Sequence, residues 1–589
     1  MSDFSWLRAT STRNFSSNET LLDWLDLFGV SKGFKPDYEY SDYDERTDFS
    51  KFIMNKGLEF EAAVASYLST LSPIFDALEP GERSSSPRSY DRTRSAMERG
   101  ESLIYQAVLR DDKSSTYGVA DFLIRSDILR RIFPLEISEA ESNIGAPALP
   151  GEKWHYRVID IKFATLSFLK NGNIQSSQGS TLSYMCQVYI YNRALENMQG
   201  FRPEGGYLLG RQWIQGNSRG TSCIDRLGFV PDQYRIPNRG TLDQLVHDAC
   251  DWVRRVQING AEWDVIPEPS VDELRPNMGS TSDQPWHRAK TEINDYVQDL
   301  TTLWRVGLAG RKNANDEGIY RWSDSALSTE HVGVNGPKTA PVLQGIIDIN
   351  RDPRSSPVMP IEISDSDQTW RKETFEFYVD FETVSNLNDS FESIPEIGGQ
   401  DLIFMIGCGH MENDEWNWSC FTVELLDETS EAKIIDQWIS HMETVSSRLN
   451  NYGSEPVVFH WSPAERSFLS TAYNSAIIRH PEKNWPSLKW YDFLRMVIQA
   501  EPVIVRGSFG FGLKSVAGAF ARHGLIETTW DSGPTDGLGA MVGAWWADSV
   551  AREEDISLAD IELMSEIERY NEVDCKVMME IIRYLRENH

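Results

Sequence analysis

The sequence has little of what marks secreted, zinc-binding or membrane-spanning proteins. Its 589 residues include six Cys, which occur singly and form no CxxC zinc signature or disulfide framework. No apolar run is long enough to cross a bilayer. The start, Met1 to Thr12, lacks the basic and apolar regions of a signal peptide. We therefore expect reduced thiols, no membrane partner and a cytoplasmic location.

Positive charge is also scarce. The chain has 57 Lys and Arg against 89 Asp and Glu, a formal net charge of -32. Proteins that bind nucleic acid usually carry a basic stripe, so this balance argues against a surface coated with positive charge. Overall acidity reports on solubility and long-range repulsion rather than on one cleft. Any nucleic-acid binding is therefore predicted to be local, metal-assisted and sensitive to salt.

Length and composition predict several folded domains. An apolar fraction of 40% and 19 Trp indicate globular packing, and the length favours two or three domains. Residues 1–50, polar except for the amphipathic stretch Leu21–Phe28, are predicted to form an N-terminal arm or partly ordered cap. An α/β domain is predicted over 51–265, a linker with a helical segment over 266–365, and a second α/β domain over 366–589.

Hydrophobic periodicity locates the main elements within these domains. The predicted helices are Phe52–Leu68, Tyr184–Leu195 and Ile561–Arg586. The predicted strands are Tyr117–Ile124, Tyr156–Phe163, Gly206–Leu209, Phe375–Phe381, Leu402–Ile406 and Val457–His460. Turn-rich composition predicts linkers at Pro267–Pro285 and Gly333–Arg354.

A first set of candidate site residues lies in the N-terminal domain. In the strand YRVIDIK, period-two alternation places Asp160 and Lys162 on one face. Such a pair suits metal-assisted hydrolysis, in which Asp160 holds a cation and Lys162 orients hydroxide or offsets developing charge. Asp121 interrupts an apolar strand as a second metal ligand does, and Glu61 lies on a helix predicted to reach the same site. The alternative is a surface Asp–Lys pair with a satisfied core Asp.

A helical face downstream completes this set. Gln187 and Tyr191 are four residues apart and share one face of a helix. The ordered set is Glu61, Asp121, the D-x-K of Asp160 and Lys162, and Gln187-x-x-x-Tyr191. It resembles the PD-(D/E)XK nucleases of the RecB type, with their restriction-endonuclease-like α/β core, over roughly Phe52 to Val265. The resemblance implies metal binding by both Asp residues and catalytic roles for Glu61 and Lys162. It also implies that Gln187 and Tyr191 contact substrate or support the site.

Two departures from that pattern matter. The separation of Asp121 from Asp160 is long for paired strands, so Glu141–Gly151 is interpreted as part of an insertion. Some relatives carry four Cys that ligate an iron–sulfur cluster. The spacing of Cys186, Cys223 and Cys250 does not support one, so no iron–sulfur cluster is expected.

A second set of acidic residues lies in the C-terminal domain. In the strand FEFYVDFET, Asp380 and Glu382 share a face, and a divalent cation would relieve their repulsion. Tyr570 and Asp574 share a face of the last helix, and Glu465 follows the strand ending at His460. Together Asp380, Glu382, Glu465 and Asp574 supply enough oxygens for two cations, with Tyr570 positioning the attacking water.

Alternatives remain for this second set. Ser462-Pro463-Ala464-Glu465 is also a good capping box, which would make Glu465 structural. Tyr570 can equally be a packing residue. The set resembles the ribonuclease H-like DEDD exonucleases of the Tyr-containing subclass, over about 373–589, with Glu465 in place of the usual third Asp. That resemblance implies a two-metal Mg²⁺ or Mn²⁺ site that removes nucleotides from a 3′ end.

The middle segment offers a third candidate region. Residues 299–327 are predicted to form a helix, a tight Val306-Gly307 turn and a second helix. They are similar to helix–hairpin–helix elements, which present backbone N–H groups to phosphate. Arg305, Arg311 and Lys312 would add positive charge. A plain helical linker that packs the two domains explains the segment as well.

The order of the parts resembles a bacterial and archaeal family of RecB-like nucleases over most of the chain. The leading hypothesis is a metal-dependent nuclease that cuts DNA, or RNA, at two sites. One alternative is a nucleic-acid-binding processing subunit with an inactive nuclease domain, and another is a different phosphate-ester hydrolase. A helicase or another recombination, repair or defence factor is a possible partner.

Overall fold

The chain folds as a multidomain α/β protein with mixed sheets. The computed structural model describes residues 6–150, 153–364, 368–372, 374–450, 453–461, 468–530 and 536–589. Among these residues, no helix has both the length and the hydrophobicity needed to cross a membrane.

The elements alternate along the chain in both halves. The strands are β1 (Leu7–Arg8), β2 (Ile74–Asp76), β3 (Leu103–Asp111), β4 (Thr116–Arg125), β5 (Tyr156–Phe168), β6 (Gly205–Gln215), β7 (Ser218–Arg219), β8 (Gly228–Pro231), β9 (Arg235–Ile236), β10 (Gly240–Thr241), β11 (Val358–Met359), β12 (Glu376–Val384), β13 (Leu402–Glu412), β14 (Glu415–Thr422), β15 (Val457–His460), β16 (Lys489–Asp492) and β17 (Ile504–Val505). The helices are α1 (Arg13–Ser16), α2 (Thr20–Trp24), α3 (Phe49–Leu71), α4 (Pro87–Arg99), α5 (Ser126–Ile132), α6 (Glu139–Ser142), α7 (Thr181–Gln199), α8 (Leu242–Asn259), α9 (His287–Val297), α10 (Leu308–Asp316), α11 (Ala340–Arg351), α12 (Glu428–Leu449), α13 (Phe468–Arg479), α14 (Leu513–Arg522), α15 (Gly537–Glu554) and α16 (Glu562–Asn588).

The N-terminal half is built on an eight-stranded sheet in the order β2-β3-β4-β5-β6-β7, with β1 added to β4 and β8 to β6. The β3–β4 and β4–β5 pairs are antiparallel, whereas β5–β6 is parallel. Apolar side chains of α7 and α8 cover one face, and those of α3 and α5 cover the other. The polar strand positions that carry the candidate site therefore lie inside a sheet covered on both sides.

The alternation of buried faces reverses in the middle of β3 and β4. Ile104 and Ala107 lie in the same core although they are three residues apart, and so do Ala120 and Leu123. The reversal coincides with Gln106, whose φ of 49° lies in the left-handed region. Such a backbone is unfavourable for a residue other than glycine and is often found at functional sites. At this reversal, the side chains of Gln106 and Asp121 do not follow the regular alternation between the two faces of the sheet.

The sequence predicts an arm or a partly ordered cap over residues 1–50, and the described residues 6–50 pack against the N-terminal domain. Within the described part, Leu21, Leu22, Trp24 and Leu25 are buried in the core under α7 and α8. The Trp24 indole donates a hydrogen bond to the Gly260 carbonyl at 2.8 Å. A polar composition suggested an arm because the partner of its short apolar face is more than 200 residues away in sequence.

The middle region also departs from expectation. The predicted linker Gly333–Arg354 contains α11, whose Val342, Leu343, Ile346 and Ile347 are buried. Here the proline lies at the start of a helix, where its fixed φ is favourable, and does not mark a linker. Its apolar stripe packs into the same core as β15, β17 and α16.

The predicted helical hairpin forms only in its second half. Within residues 299–307, all of them described, the regular structure is the 3₁₀ turn Leu300–Thr302, and α10 begins after Gly307. The buried Asp299 carboxylate accepts hydrogen bonds from the Thr301 N–H at 2.8 Å and hydroxyl at 2.5 Å. Such local side-chain hydrogen bonds compete with helix formation.

The C-terminal half is built on a five-stranded sheet in the order β14-β13-β12-β15-β16. The strand β12 pairs antiparallel with β13 and parallel with β15, so it is central. Helices α12, α13 and α15 cover one face, and α14 and α16 contribute to the core on the other. The last helix, α16, thus crosses the face of the sheet to which Asp380 belongs by alternation with Tyr378.

Candidate metal centre and the N-terminal cavity

Three predicted ligands come together in the C-terminal half. Asp380 and Glu382 lie on β12 and Asp574 on α16, and one oxygen of each lies within 4.8 Å of the others. Among the described residues, this is the one such group of three candidate ligands. An all-carboxylate donor set suits a hard divalent cation such as Mg²⁺ or Mn²⁺. Glu465, the fourth predicted ligand, lies outside the described residues.

Burial raises the pKa of all three acids, and repulsion from neighbouring carboxylates adds to it at Asp380 and Glu382. Burial, then the charges of Glu382 and Asp574, raise the pKa of Asp380 well above its usual range. Burial and the Asp574 charge raise the pKa of Glu382 to about 8. Burial raises the pKa of Asp574 to about 6, although Lys514 and hydrogen bonds from Trp530 and Tyr570 oppose this. One bound cation would offset the free-energy cost of burying these three acids close together.

Asn571 bridges the two acids of β12. Its side-chain nitrogen lies 3.3 Å from Asp380 Oδ2 and 3.4 Å from Glu382 Oε1. The space that Asn571 occupies exists because Gly407 lies opposite Asp380 on β13. A Cβ atom at Gly407 would meet Asn571 Oδ1 at 1.7 Å. Glycine at this position therefore allows α16 to approach the sheet closely enough to complete the cluster.

Three further neighbours, Trp530, Tyr570 and Lys514, are hydrogen-bond donors or carry positive charge. The Trp530 indole donates a hydrogen bond to Asp574 Oδ1 at 2.9 Å. Burial, then the charges of Asp574, Glu382 and Asp380, raise the pKa of Tyr570, so its phenol stays protonated and can act as a donor. Lys514 Nζ lies 4.4 Å from the centre of the Tyr570 ring, and burial lowers the pKa of Lys514 despite the acids around it.

The structure also brings together the predicted pair Asp160 and Lys162 on β5. Lys162 Nζ lies 2.6 Å from Asp160 Oδ2, and Asp160 is 1% exposed. Apart from this ammonium group, no described residue donates a hydrogen bond to either Asp160 oxygen. Burial tends to lower the pKa of Lys162, but the charges of Asp160 and Asp121 outweigh it and raise the pKa overall. A buried carboxylate with spare lone pairs is the kind of group that a cation satisfies.

Asp121 and Glu61 lie beside this pair. Asp121 Oδ2 accepts a hydrogen bond from the Ile161 N–H at 2.5 Å, which ties β4 to β5 between Asp160 and Lys162. Burial, then the Asp160 charge, raise the pKa of Asp121 well above normal, and the Glu61 charge adds to this. Glu61 on α3 accepts hydrogen bonds from Tyr105 at 2.8 Å and from Gln106 at 3.3 Å.

A cavity of about 630 Å³ opens onto these acids. Its lining combines acids, two arginines and small polar groups: Arg8, Glu61, Leu78, Glu82, Arg83, Ser84, Ser85, Gln106, Val119 and Asp121. A cavity of this size is in the range of ligand-binding clefts. Its mixture of acids and guanidinium groups suits a metal ion together with an anion.

Gln187 and Tyr191 lie inside the protein. They are 6% and 3% exposed, on the buried side of α7. Burial, then the charges of Asp160, Asp121 and Glu61, raise the pKa of the Tyr191 phenol. Tyr191 is therefore buried within the influence of these acids, and it can support the site rather than contact a ligand in solvent.

The basic residues of the middle segment have protein partners. Arg311 pairs with the buried Asp299 at 3.3 Å and donates a hydrogen bond to the Pro276 carbonyl at 2.9 Å. Lys312 pairs with Asp316 at 2.6 Å on the surface of α10. The Arg305 guanidinium lies 4.9 Å from the centre of the Trp304 ring. The Arg311 contacts favour a structural role over the predicted phosphate contact.

Several residues around the two sites escaped the sequence analysis. Asn571 adjoins Tyr570 but carries no charge, and Trp530 is far from every acidic motif. Tyr105 and Gln106 gave a weak signal, because they are polar positions within the apolar strand LIYQAVLR. Arg8 lay in a segment interpreted as an arm, so its position at the cavity was not foreseeable.

No family model, no curated protein and no solved structure matches this chain.

Proposed function

We propose that this chain hydrolyses phosphodiester bonds of nucleic acid with the help of divalent cations. The observation that carries the proposal is the convergence of Asp380, Glu382 and Asp574, with ligand oxygens within 4.8 Å of one another. The pKa of each acid is raised by burial, and Asp380 and Glu382 also repel their neighbours. Metal-ion phosphodiesterases use such buried acid clusters, because a bound cation activates water and stabilises the leaving oxygen.

The residues around this cluster have roles that fit such a site. Asp380, Glu382 and Asp574 would hold Mg²⁺ or Mn²⁺, and Asn571 orients the two acids of β12 through its amide nitrogen. Tyr570 presents a protonated phenol that can donate a hydrogen bond to an attacking water or a phosphate oxygen. Lys514, at the edge of the cluster, supplies a positive charge for the substrate phosphate. A second cation in this centre is part of the proposal.

The N-terminal site is proposed as a second hydrolytic centre. Asp121 and Glu61, which line the cavity, would hold a cation together with the neighbouring Asp160, and Lys162 lies 2.6 Å from Asp160. Apart from the Lys162 ammonium group, no described residue donates a hydrogen bond to Asp160, and this supports the assignment. We further propose a PD-(D/E)XK core for the N-terminal half and a ribonuclease H-like DEDD fold for the C-terminal half. The mixed sheets that carry the acids on central strands are compatible with both.

End-labelled DNA and RNA, incubated with Mg²⁺ or Mn²⁺, test the proposal. We expect Asp380→Asn and Asp160→Asn each to abolish a distinct set of products, and the double variant to be inactive. Asp295→Asn, which changes an exposed carboxylate on α9, is the matched control and should cleave as the wild type does.

The pattern of products separates the alternatives. Cleavage by the double variant would show that neither acid set is catalytic. If Asp160→Asn leaves every product unchanged while Asp380→Asn removes them all, the N-terminal half is a binding domain with an inactive site. Hydrolysis of a small phosphate ester without cleavage of either nucleic acid would instead indicate a different phosphate-ester hydrolase.

A further inference from the structure

A pair of aromatic rings, from the exposed Trp6 and the half-buried Tyr117, lies next to the N-terminal cavity. Trp6 is 36% exposed, and its ring meets that of Tyr117 edge to face, with centroids 6.5 Å apart and an interplanar angle of 70°. The Arg110 guanidinium lies 4.2 Å from the centre of the Trp6 ring. We call Trp6 and Tyr117 the aromatic platform. Exposed aromatic rings flanked by arginine are how proteins hold unpaired bases.

Arg8 connects the platform to the cavity. Its Nε donates a hydrogen bond to the Tyr117 hydroxyl at 2.9 Å, and the same side chain lines the cavity that contains Glu61 and Asp121. β1 pairs with β4 so that Arg8 lies beside Tyr117. Tyr117 and Asp121 are four residues apart on β4, or about 13 Å at the usual rise of a strand. The platform and the acids therefore lie on one continuous path.

The charges along this path suit an anion. Because the chain has 89 acidic and 57 basic residues, we expect most guanidinium groups to have a carboxylate partner. Within the described part of the chain, however, no acid forms an ion pair with Arg8, Arg83 or Arg110, although Glu82 also lines the cavity. Guanidinium groups that no carboxylate neutralises are well suited to bind phosphate.

We propose that the aromatic platform binds a base of single-stranded nucleic acid, whose phosphates contact Arg110, Arg8 and Arg83 on the way to the N-terminal acids. This rests on the proposed nuclease function. We specify a single strand because a base can stack on Trp6 only if one face of its ring is free. In a duplex, neighbouring bases cover both faces. The N-terminal site then takes single strands or unpaired ends, and base identity has little influence.

Fluorescence anisotropy tests this in the full-length Asp160→Asn/Asp380→Asn background with Mg²⁺, which keeps the probe intact. The probes are one labelled single-stranded oligonucleotide, as DNA and as RNA, and the matched blunt duplex. Trp6→Ala should weaken single-strand binding about 5- to 150-fold, the usual range for one stacked base, and Trp6→Phe should restore most of it. Arg110→Ala should lower the slope of log affinity against log salt by about 0.7.

Tyr296→Ala is the matched control, because Tyr296 is 56% exposed on α9, outside the path from platform to cavity. It should bind as the parent does. Equal single-strand affinity in Trp6→Ala and its parent, or an equal loss in Tyr296→Ala, overturns the platform. If the wild type still cleaves nucleic acid, the proposed function survives that result. A wild type that neither cleaves nor binds any probe overturns both.

Discussion

At the scale of single residues, Glu382 has the clearest consequence for pH dependence. Its pKa is raised to about 8 in the folded protein, so between about pH 5 and 8 the folded state holds a proton that the unfolded state has lost. Stability linked to this group is therefore lost as the pH rises through that window. We expect the metal-free Tm to fall between pH 6 and pH 8 more steeply in the wild type than in Glu382→Gln, measured by differential scanning fluorimetry.

The same experiment includes the metal. Since a cation competes with the proton on Glu382, Mg²⁺ or Mn²⁺ should raise the wild-type Tm more at pH 8 than at pH 6. Glu382→Gln should lose most of this response. Glu553→Gln, an exposed change on α15, should behave as the wild type does. A metal-induced shift in Glu382→Gln equal to that of the wild type would remove Glu382 from the ligand set.

Gly407 provides a second test at this scale. Gly407→Ala places a Cβ atom 1.7 Å from Asn571 Oδ1, so the amide that bridges Asp380 and Glu382 must move. Displacing such a supporting group typically costs about 10- to 100-fold in metal affinity or activity. Gly518→Ala on α14 is the control, since its Cβ atom meets nothing closer than 3.5 Å. Titration with Mn²⁺ and the rate of formation of the products that Asp380→Asn removes should both report the loss, and equal affinities for the two variants would contradict it.

At the scale of elements, the strands and helices that carry the acids were predictable because their patterns are local. Val457–His460 matches β15 in full, and Tyr117–Ile124 falls one residue inside β4 at each end. The reversal at Gln106 could not be predicted, because no local pattern specifies a left-handed backbone there. Helix α11 and the packed N-terminal segment could not be predicted either, because their apolar faces contact residues that are distant in sequence.

The loop between β12 and β13 links the two halves and yields a prediction for an element. Phe391 is 8% exposed and packs against Phe60 and Phe163, at 5.6 and 5.7 Å between ring centroids. These two residues precede Glu61 and follow Lys162 in sequence. Phe391→Ala should cost about 3–5 kcal/mol in unfolding free energy, measured by urea denaturation. It should also lower the yield of the products that Asp160→Asn removes more than the yield of those that Asp380→Asn removes.

Ile478→Ala, at a position 79% exposed on α13, is the control and should change neither quantity. If Phe391→Ala destabilises the protein but slows both sets of products equally, the loop contributes stability without positioning the N-terminal acids. That result would distinguish a role of Phe391 in stability from a role in positioning the N-terminal acids. The distinction is needed because Phe391 contacts the neighbours of Glu61 and Lys162 rather than those residues themselves.

At the scale of the whole molecule, the two halves are joined by more than a linker. Phe52 stacks on Trp545 with centroids 4.5 Å apart, and Arg46 lies 5.0 Å from the centre of the Trp546 ring. The β12–β13 loop adds backbone hydrogen bonds to residues 221 and 223. Each half carries its own acid set, so we expect mutations to affect the proposed chemistry of the two halves separately, although the two halves stabilise each other.

Arg211 offers a test of whether the two halves unfold together. It is 3% exposed on β6, and its guanidinium donates hydrogen bonds to the Asn386 side chain at 3.1 Å and to the Gly398 carbonyl at 3.2 Å. Arg211→Ala leaves these loop groups unpartnered, at about 1–3 kcal/mol each. In differential scanning calorimetry we expect one transition for the wild type and two for Arg211→Ala. Arg583→Ala, which breaks an exposed pair with Glu587, should keep a single transition, and a single lowered transition in Arg211→Ala would show that the other contacts suffice to couple the halves.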